Sequence, residues 1–191
     1  FAGLFYLIYY HFGFVFVRQI LGAEEAGYYS VAFTFLSASL LVPSVIYQKF
    51  LLPKLHRWAY HDKEKFIMSY HYGNYIMLGL GLLGLITLWL FAPYIVPLLF
   101  GEKYDAAISI VQLMAFNIPL VYIASSAGAL LVTQEHMKTK VKYMGLSALV
   151  SLLLNAPMIY IFGVPGAIYT NIVCNILITF LYFRAVKLRV L

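Results

Sequence analysis

The sequence places two cationic groups, His11 and Arg18, inside one apolar run near its start. They are seven residues apart, which is two turns of an α-helix, so both would project from one helix face. A pair of this kind could bind an anionic headgroup, and ionisable groups in an apolar segment are candidate functional residues because burying them is costly. The alternative is that Arg18 extends to the membrane interface while a neutral His11 hydrogen-bonds a neighbouring helix.

A second polar group lies in "FIMSYHYGNYIM", where His71 and Asn74 are three residues apart and share a helix face. Tyr70, Tyr72 and Tyr75 surround them. Aromatic rings beside polar groups suit the stacking and hydrogen bonding of sugars. Tyrosines are equally typical of the belt that a helix places at a membrane interface, so both interpretations stand.

A third pair, Asn171 and Asn175, is spaced four residues apart and would form a polar stripe on one helix. Two interpretations are open. The stripe lines a cavity, or it hydrogen-bonds neighbouring helices, as most polar residues in membrane helices do.

The sequence carries no sign of catalysis. All seven acidic residues fall in predicted connections, and no H-E-x-x-H, G-x-S-x-G or P-loop pattern occurs. His56 and His61 are five residues apart and lack a third metal ligand nearby. We therefore predict a protein that is not an enzyme and that binds no metal or cofactor.

The composition of the chain indicates whether these groups are surrounded by water or by lipid. Of 191 residues, 63% are hydrophobic and only 10% are charged, and the mean hydropathy is +0.87. The chain has too few polar side chains to cover a water-exposed surface. We predict an all-α polytopic membrane protein.

A membrane-spanning helix needs about 20 mostly apolar residues to cross a hydrocarbon core of about 30 Å. Six stretches meet this requirement, and polar or Gly/Pro-containing turns separate them. They run from Phe1 to Leu21, Tyr28 to Phe50, Phe66 to Phe91, Ala107 to Val132, Val141 to Phe162, and Pro165 to Val186. We predict one six-helix bundle over residues 1–191.

Lysine and arginine concentrate on the cytoplasmic side of membrane proteins. All of them except Arg18 and Lys103 fall between the second and third spans, between the fourth and fifth, at the end of the chain, or in the span ends that adjoin these segments. Both ends of the bundle are therefore predicted to be cytoplasmic. The net charge of +6 is divided among three blocks separated by spans, which indicates lipid headgroups as partners and argues against nucleic acid.

The turn "FGEKYD" is then the extracytoplasmic connection between the third and fourth spans. Pro93 and Pro97 precede it, and each removes a backbone hydrogen-bond donor. We therefore expect the third helix to end near Phe91, with a short interfacial segment after it. Pro43 favours a kink inside the second span in the same way, as do Pro119 and Pro157 in the fourth and fifth.

Four stretches, in register with the six predicted spans, carry a resemblance to a known family. The chain resembles the oligosaccharide flippases of bacterial polysaccharide biosynthesis, within the multidrug/oligosaccharidyl-lipid/polysaccharide exporter superfamily. The stretches match that family's second half in order and spacing: "LGAEEAGYYSVA" (Leu21 to Ala32), "VIYQKFLLPKL" (Val45 to Leu55), "FAPYIVPLLFGEKYDAA" (Phe91 to Ala107) and "FGVPGAIYTNI" (Phe162 to Ile172).

The resemblance implies one bundle of a two-bundle exporter in the bacterial inner membrane, with an N-terminal six-helix lobe of the same protein as its partner. The implied substrate is an oligosaccharide on a polyprenyl diphosphate lipid, moved to the outer leaflet for O-antigen, capsule or exopolysaccharide synthesis. Arg18 would line its cationic cavity. His11 replaces the ionisable residues that many relatives carry midway along this helix, which argues against carboxylate-based ion coupling there.

Three other functions are compatible with the sequence. A drug or lipid exporter of the same superfamily would share the fold, although it would favour a carboxylate in the cavity. A membrane subunit that scaffolds a polysaccharide synthase would use the aromatic and glycine-rich surfaces as contacts. A membrane glycosyltransferase is disfavoured because no carboxylate lies within a span.

Overall fold

The computed structural model describes residues 2–132 and 137–189, without the side chains of residues 2–11, 48, 59, 60 and 189. This part of the chain is almost entirely helical and contains no β-strand. Its elements are α1 (Ala2–Leu21), α2 (Ala23–Ser39), α3 (Leu41–Ser44), a π-helical segment (Val45–Leu51), α4 (Leu52–His61), α5 (Lys63–Phe100), a 3-10 turn (Glu102–Tyr104), α6 (Ala107–Ala115), α7 (Asn117–Leu130), α8 (Met137–Phe162) and α9 (Val164–Arg189).

Five helical stretches of the described chain are long and apolar enough to cross a membrane. They are Ala23–Trp58, Lys63–Phe100, Ala107–Leu130, Met137–Phe162 and Val164–Leu188. The described apolar part of α1, Phe12–Leu21, is shorter. The predicted fold class, an all-α polytopic membrane bundle, is confirmed.

Single glycines separate consecutive helices at one end of the bundle, which we call the glycine end. Gly22, Gly101 and Gly163 have φ angles of 104°, 87° and 67°, in the left-handed region that side chains with a Cβ rarely adopt. The turn at Gly22 is shorter than predicted, because α2 begins at Ala23 and not at Tyr28. Glu24 therefore lies in the first turn of α2, where a carboxylate favours the helix dipole.

The opposite end, which we call the basic end, contains Asp62 and the connection after α7. Asp62 caps α5, since its Oδ1 accepts a hydrogen bond from the Lys65 N–H at 3.1 Å. Its Oδ2 also accepts from the Lys65 ammonium at 2.6 Å. These hydrogen bonds to Lys65 hold the pKa of the exposed Asp62 carboxyl below its usual range. α5 consequently begins at Lys63, three residues earlier than the sequence predicted.

The span formed by α6 and α7 lies at the centre of the bundle. α7 packs between α5 and α9, and α6 packs against α2 and α5. α8 packs on α1 and α9 and so connects the first helix with the last. In the most apolar part of the α6–α7 span 61% of the residues are buried, against 22% in α5, so most of α5 lies on the outside of the bundle.

The prediction that the third helix ends near Phe91 is wrong, because α5 continues through Pro93 and Pro97 to Phe100. Pro93 has no N–H to donate to the carbonyl of Trp89, four residues earlier. The side-chain amide of Gln112, on α6, donates to that carbonyl at 3.0 Å. The freed carbonyl is therefore satisfied within the protein, as a helix in lipid requires, and the helix can continue.

Pro43 frees a carbonyl in the same way, that of Ser39. The hydroxyl of Tyr122, on α7, donates to it at 2.9 Å. Here the helix does change type, since α2 ends at Ser39 and the π-helical segment follows α3. Both repaired carbonyls thus receive their donor from the central α6–α7 span.

Gly81 allows the backbones of α5 and α7 to approach each other closely. A Cβ at this position would lie 2.7 Å from the Cα of Pro119, closer than real Cβ atoms come. A Cβ on Gly79, one of its neighbours in the glycine-rich run of α5, would meet no atom within 4 Å. The run of glycines indicates close helix packing. The structure shows such packing at Gly81 but not at Gly79.

We expect Gly81→Ala to destabilise the bundle by about 1–3 kcal/mol, because α5 and α7 must separate to admit a methyl group against backbone. The free energy of unfolding in mixed micelles, titrated with a denaturing detergent, measures the effect. Gly79→Ala is the matched control and should leave the midpoint unchanged or raise it slightly. Equal midpoints for the two variants would contradict the close approach.

We also expect Tyr122→Phe to lower the free energy of unfolding by about 0.6 kcal/mol, and by no more than about 1.7 kcal/mol, as other hydrogen bonds between membrane helices do. The carbonyl of Ser39 would then lose the donor that replaces the missing N–H of Pro43. Tyr160→Phe, at a side chain that is 83% exposed, removes the same hydroxyl without this consequence. If Tyr160→Phe lowers the free energy of unfolding as much as Tyr122→Phe does, the hydrogen bond from Tyr122 to the Ser39 carbonyl contributes nothing to stability.

Candidate functional site

A cleft of about 770 Å³ opens on the side of the basic end. The last turn of α2, α3, the π-helical segment and Leu52 at the start of α4 form one wall. α7 and Lys140, from the first turn of α8, form the other. The cleft therefore lies beside the central span, where the regular α-helix of α2 is followed by α3 and the π-helical segment.

The lining of the cleft is amphipathic. Its polar side chains are Ser37, Ser44, Tyr47, Ser125 and Lys140. The remaining side chains are mostly aliphatic and include Leu40, Leu41, Leu52, Val121 and Val132. Such a surface suits a ligand with one charged or polar group attached to an apolar body.

Lys140 supplies the positive charge of the cleft. Its ammonium donates a hydrogen bond to the carbonyl of Gly128 at 3.0 Å, which draws the first turn of α8 against α7. Within the described residues the structure shows one ion pair, Lys65 with Asp62, so Lys140 has no carboxylate partner there. An ammonium has three donors, and two of those on Lys140 remain for a ligand or water.

The inner part of the cleft is held by Tyr47, from the π-helical segment. Its hydroxyl donates to Ser126 Oγ on α7 at 2.8 Å, and both side chains are buried. α5 reaches the same point, because a Cβ on Gly73 would lie 2.6 Å from the Tyr47 hydroxyl oxygen. Asn74 follows Gly73, and its buried Oδ1 has no hydrogen-bond donor among the described residues.

The wall containing Tyr47 is a seven-residue π-helix, a rare element that is often found at functional sites. Pro43 precedes it, and Pro53 follows in the first turn of α4. The wall is thus an irregular segment fixed to α7 by a side chain.

The residues predicted to bind substrate do not come together in this cleft. Arg18 is exposed in the last turn of α1, at the glycine end. His71 is exposed near the start of α5, where its ring contacts that of Tyr70 at 5.3 Å between centroids. His11 belongs to α1, but its side chain lies outside the described residues.

Asn171 and Asn175 are both buried, with exposures of 4% and 2%. The amide of Asn171 donates to the Tyr29 hydroxyl at 2.9 Å and so connects α9 with α2. The amide of Asn175 donates to Asn117 Oδ1 at 2.8 Å and connects α9 with α7. These are the helix-to-helix bonds of the second interpretation, and a role in substrate binding stays a prediction.

Comparisons of the chain with known protein families, with curated proteins and with solved structures found no match. Within the described residues, no group of three or more histidine, cysteine or carboxylate side chains could hold a metal ion. The chemistry available in the cleft is accordingly that of a cation, several hydroxyl groups and an apolar wall.

The sequence analysis placed Lys140 among the basic residues of a connection and did not identify it as part of a site. The signal that could have found it is helical periodicity. α8 begins at Met137, four residues before the predicted start of the span at Val141. On that helix Lys138 and Lys142 share one face and are exposed, while Lys140 lies on the opposite face and is partly buried.

We expect Ser125→Cys to react with a polar thiol reagent in the detergent-solubilised protein, because Ser125 lines the cleft and is only partly buried. The native Cys174 provides an internal control, since it is fully buried. Peptide mass spectrometry distinguishes the two modified sites. Modification of Cys174 at the same rate as the introduced thiol, or of neither thiol, would contradict the accessible cleft.

Proposed function

We propose that the chain is one lobe of a membrane transporter that moves an oligosaccharide on a polyprenyl diphosphate lipid to the outer leaflet, for polysaccharide biosynthesis. The observation that supports it is the position of the four family-like stretches in the fold. They cover the α1–α2 turn, the π-helical segment, the end of α5 with its glycine turn, and the α8–α9 turn. Each of them coincides with a change in chain direction or helix type.

The chemistry of such a substrate suits a bundle of this kind. Its diphosphate is anionic, its saccharide is too polar to cross hydrocarbon unaided, and its apolar tail partitions into lipid. The bundle has long apolar faces, such as that of α5, and cations near both ends of its helices. Arg18 would interact with the diphosphate electrostatically from the wall of a cavity shared with a second lobe.

Other predicted residues would provide neutral contacts to the saccharide. His71 and Asn74 lie one turn apart on α5, and an imidazole and a side-chain amide each combine donor and acceptor atoms for sugar hydroxyls. His11, seven residues before Arg18, would extend the cationic face of α1. In this proposal the second lobe is the N-terminal six-helix half of the same protein.

The proposed location is the bacterial inner membrane, with the basic end in the cytoplasm. All described lysine and arginine residues except Arg18 and Lys103 belong to the basic end or to the helix turns next to it. The glycine end would then face the periplasm, with the turn at Gly101 exposed there. This orientation follows the positive-inside rule.

In the full-length protein, we expect Arg18→Ala to reduce surface polysaccharide by about tenfold or more, because a charge contact worth roughly 1.5–3 kcal/mol is removed. Quantification of polysaccharide on intact cells, with the protein level in membranes measured in parallel, gives the result. Arg57→Ala is the control, since Arg57 is exposed on α4 at the other end of the bundle.

His11→Ala should give a loss in the same direction. Normal polysaccharide in both the Arg18 and His11 variants would remove the assignment of α1 to the substrate path. Normal polysaccharide in a strain without the gene would contradict the proposed function as a whole. An altered drug susceptibility in that strain would instead favour a drug exporter.

A further inference from the structure

We propose that the cleft between the π-helical segment and α7 binds the phosphate group of an anionic membrane lipid, with Lys140 as the principal contact. This proposal does not depend on transport or on a second lobe. It concerns a site inside this bundle, at its basic end, and the ligand is a lipid of the adjoining leaflet.

The first argument is the charge of Lys140. Its ammonium is partly buried, and the described residues give it one carbonyl and no carboxylate. A cation removed from water without an anionic partner loses much of its hydration and gains little in return. A bound phosphate would supply the opposite charge and would accept the donors that Gly128 does not use.

The second argument is the set of hydroxyl groups around Lys140. Ser37 and Ser44 line the same cleft from the opposite wall, and each can turn its O–H toward a ligand oxygen. Ser125 donates to the carbonyl of Val121 at 2.8 Å, so its oxygen remains as an acceptor. A phosphate diester with a hydroxylated headgroup requires this combination of several donors and a few acceptors.

The third argument favours a lipid over a free anion. Leu40, Leu41, Leu52 and Val132 line the cleft together with the polar groups. Leu41 is 66% exposed, so an apolar side chain stands at the rim where the acyl chains of a bound lipid would leave. A soluble phosphate would gain nothing from these contacts, whereas the glycerol and first methylenes of a lipid would bury apolar surface.

The fourth argument is the electrostatic setting. Lys138 and Lys142 are exposed on the far face of the same helix, and basic residues near the ends of spans attract anionic lipids. On the described part of this end of the bundle the carboxylates are those of Asp62, which is paired with Lys65, and of the exposed Glu64, and the basic residues outnumber them. The field around the cleft therefore favours an anion, while Lys140 provides the specific contact.

The test uses the purified full chain in a neutral detergent and a fluorescent phosphatidylglycerol with short acyl chains. We expect Lys140→Gln to weaken binding by about tenfold or more, because a hydrogen bond to a charged group is lost. Lys142→Gln removes the same charge from the exposed face and should weaken binding less than about threefold, the effect of a screened surface charge. Lys140→Arg should retain most of the affinity.

Two measurements exclude trivial explanations. Unfolding in mixed micelles verifies that each variant is folded, and Lys140→Met, which also removes the charge, replaces Lys140→Gln if the latter is not. Phosphatidylcholine and millimolar inorganic phosphate serve as competitors, and the proposal expects neither to displace the labelled lipid efficiently.

Equal losses in Lys140→Gln and Lys142→Gln would overturn the proposal, because binding would then be a general effect of surface charge. Displacement by inorganic phosphate at the concentrations at which the lipid acts would also overturn it, in favour of a soluble anion. Normal surface polysaccharide in the Arg18 and His11 variants would not affect this test, since lipid binding is measured on the purified protein.

Discussion

The fold depends on a requirement that lipid imposes on the backbone, namely that every carbonyl must find a donor inside the protein. Pro93 and Pro43 each leave one carbonyl without its helical N–H. Gln112 on α6 and Tyr122 on α7 supply the missing donors, at 3.0 and 2.9 Å. The central span is therefore more than an apolar core, because its side chains complete the hydrogen bonding of the helices on either side.

The same requirement explains where the cleft lies. α2 loses its regular ladder after Ser39, and two tyrosine hydroxyls determine how far the following segment can depart from α7. Tyr122 holds the segment at its beginning, and Tyr47 holds it again through Ser126. Between these attachments the chain passes through α3 into the π-helix, and the space that remains beside α7 is open to the side chain of Lys140.

Much of this architecture can be predicted from the sequence, since apolar length gives the helices and the glycines at positions 22, 101 and 163 give the turns. The continuation of α5 beyond Phe91 could not be predicted, because the donor that repairs Trp89 comes from Gln112, far along the chain. The position of Lys140 depended on where α8 begins, because helical periodicity assigns it a face only if the helix includes it. Periodicity located the polar stripe of Asn171 and Asn175, but their partners are set by packing.

The length of α5 has a consequence for the membrane itself. With 38 residues it measures ~57 Å, nearly twice the ~30 Å of an ordinary hydrocarbon core. A helix of this length extends beyond the hydrocarbon at its polar first turns or inclines within the bilayer, and any inclination varies with bilayer thickness. Because Gly81 brings α5 directly against the backbone of Pro119, a change in that inclination is transmitted to the middle of the bundle.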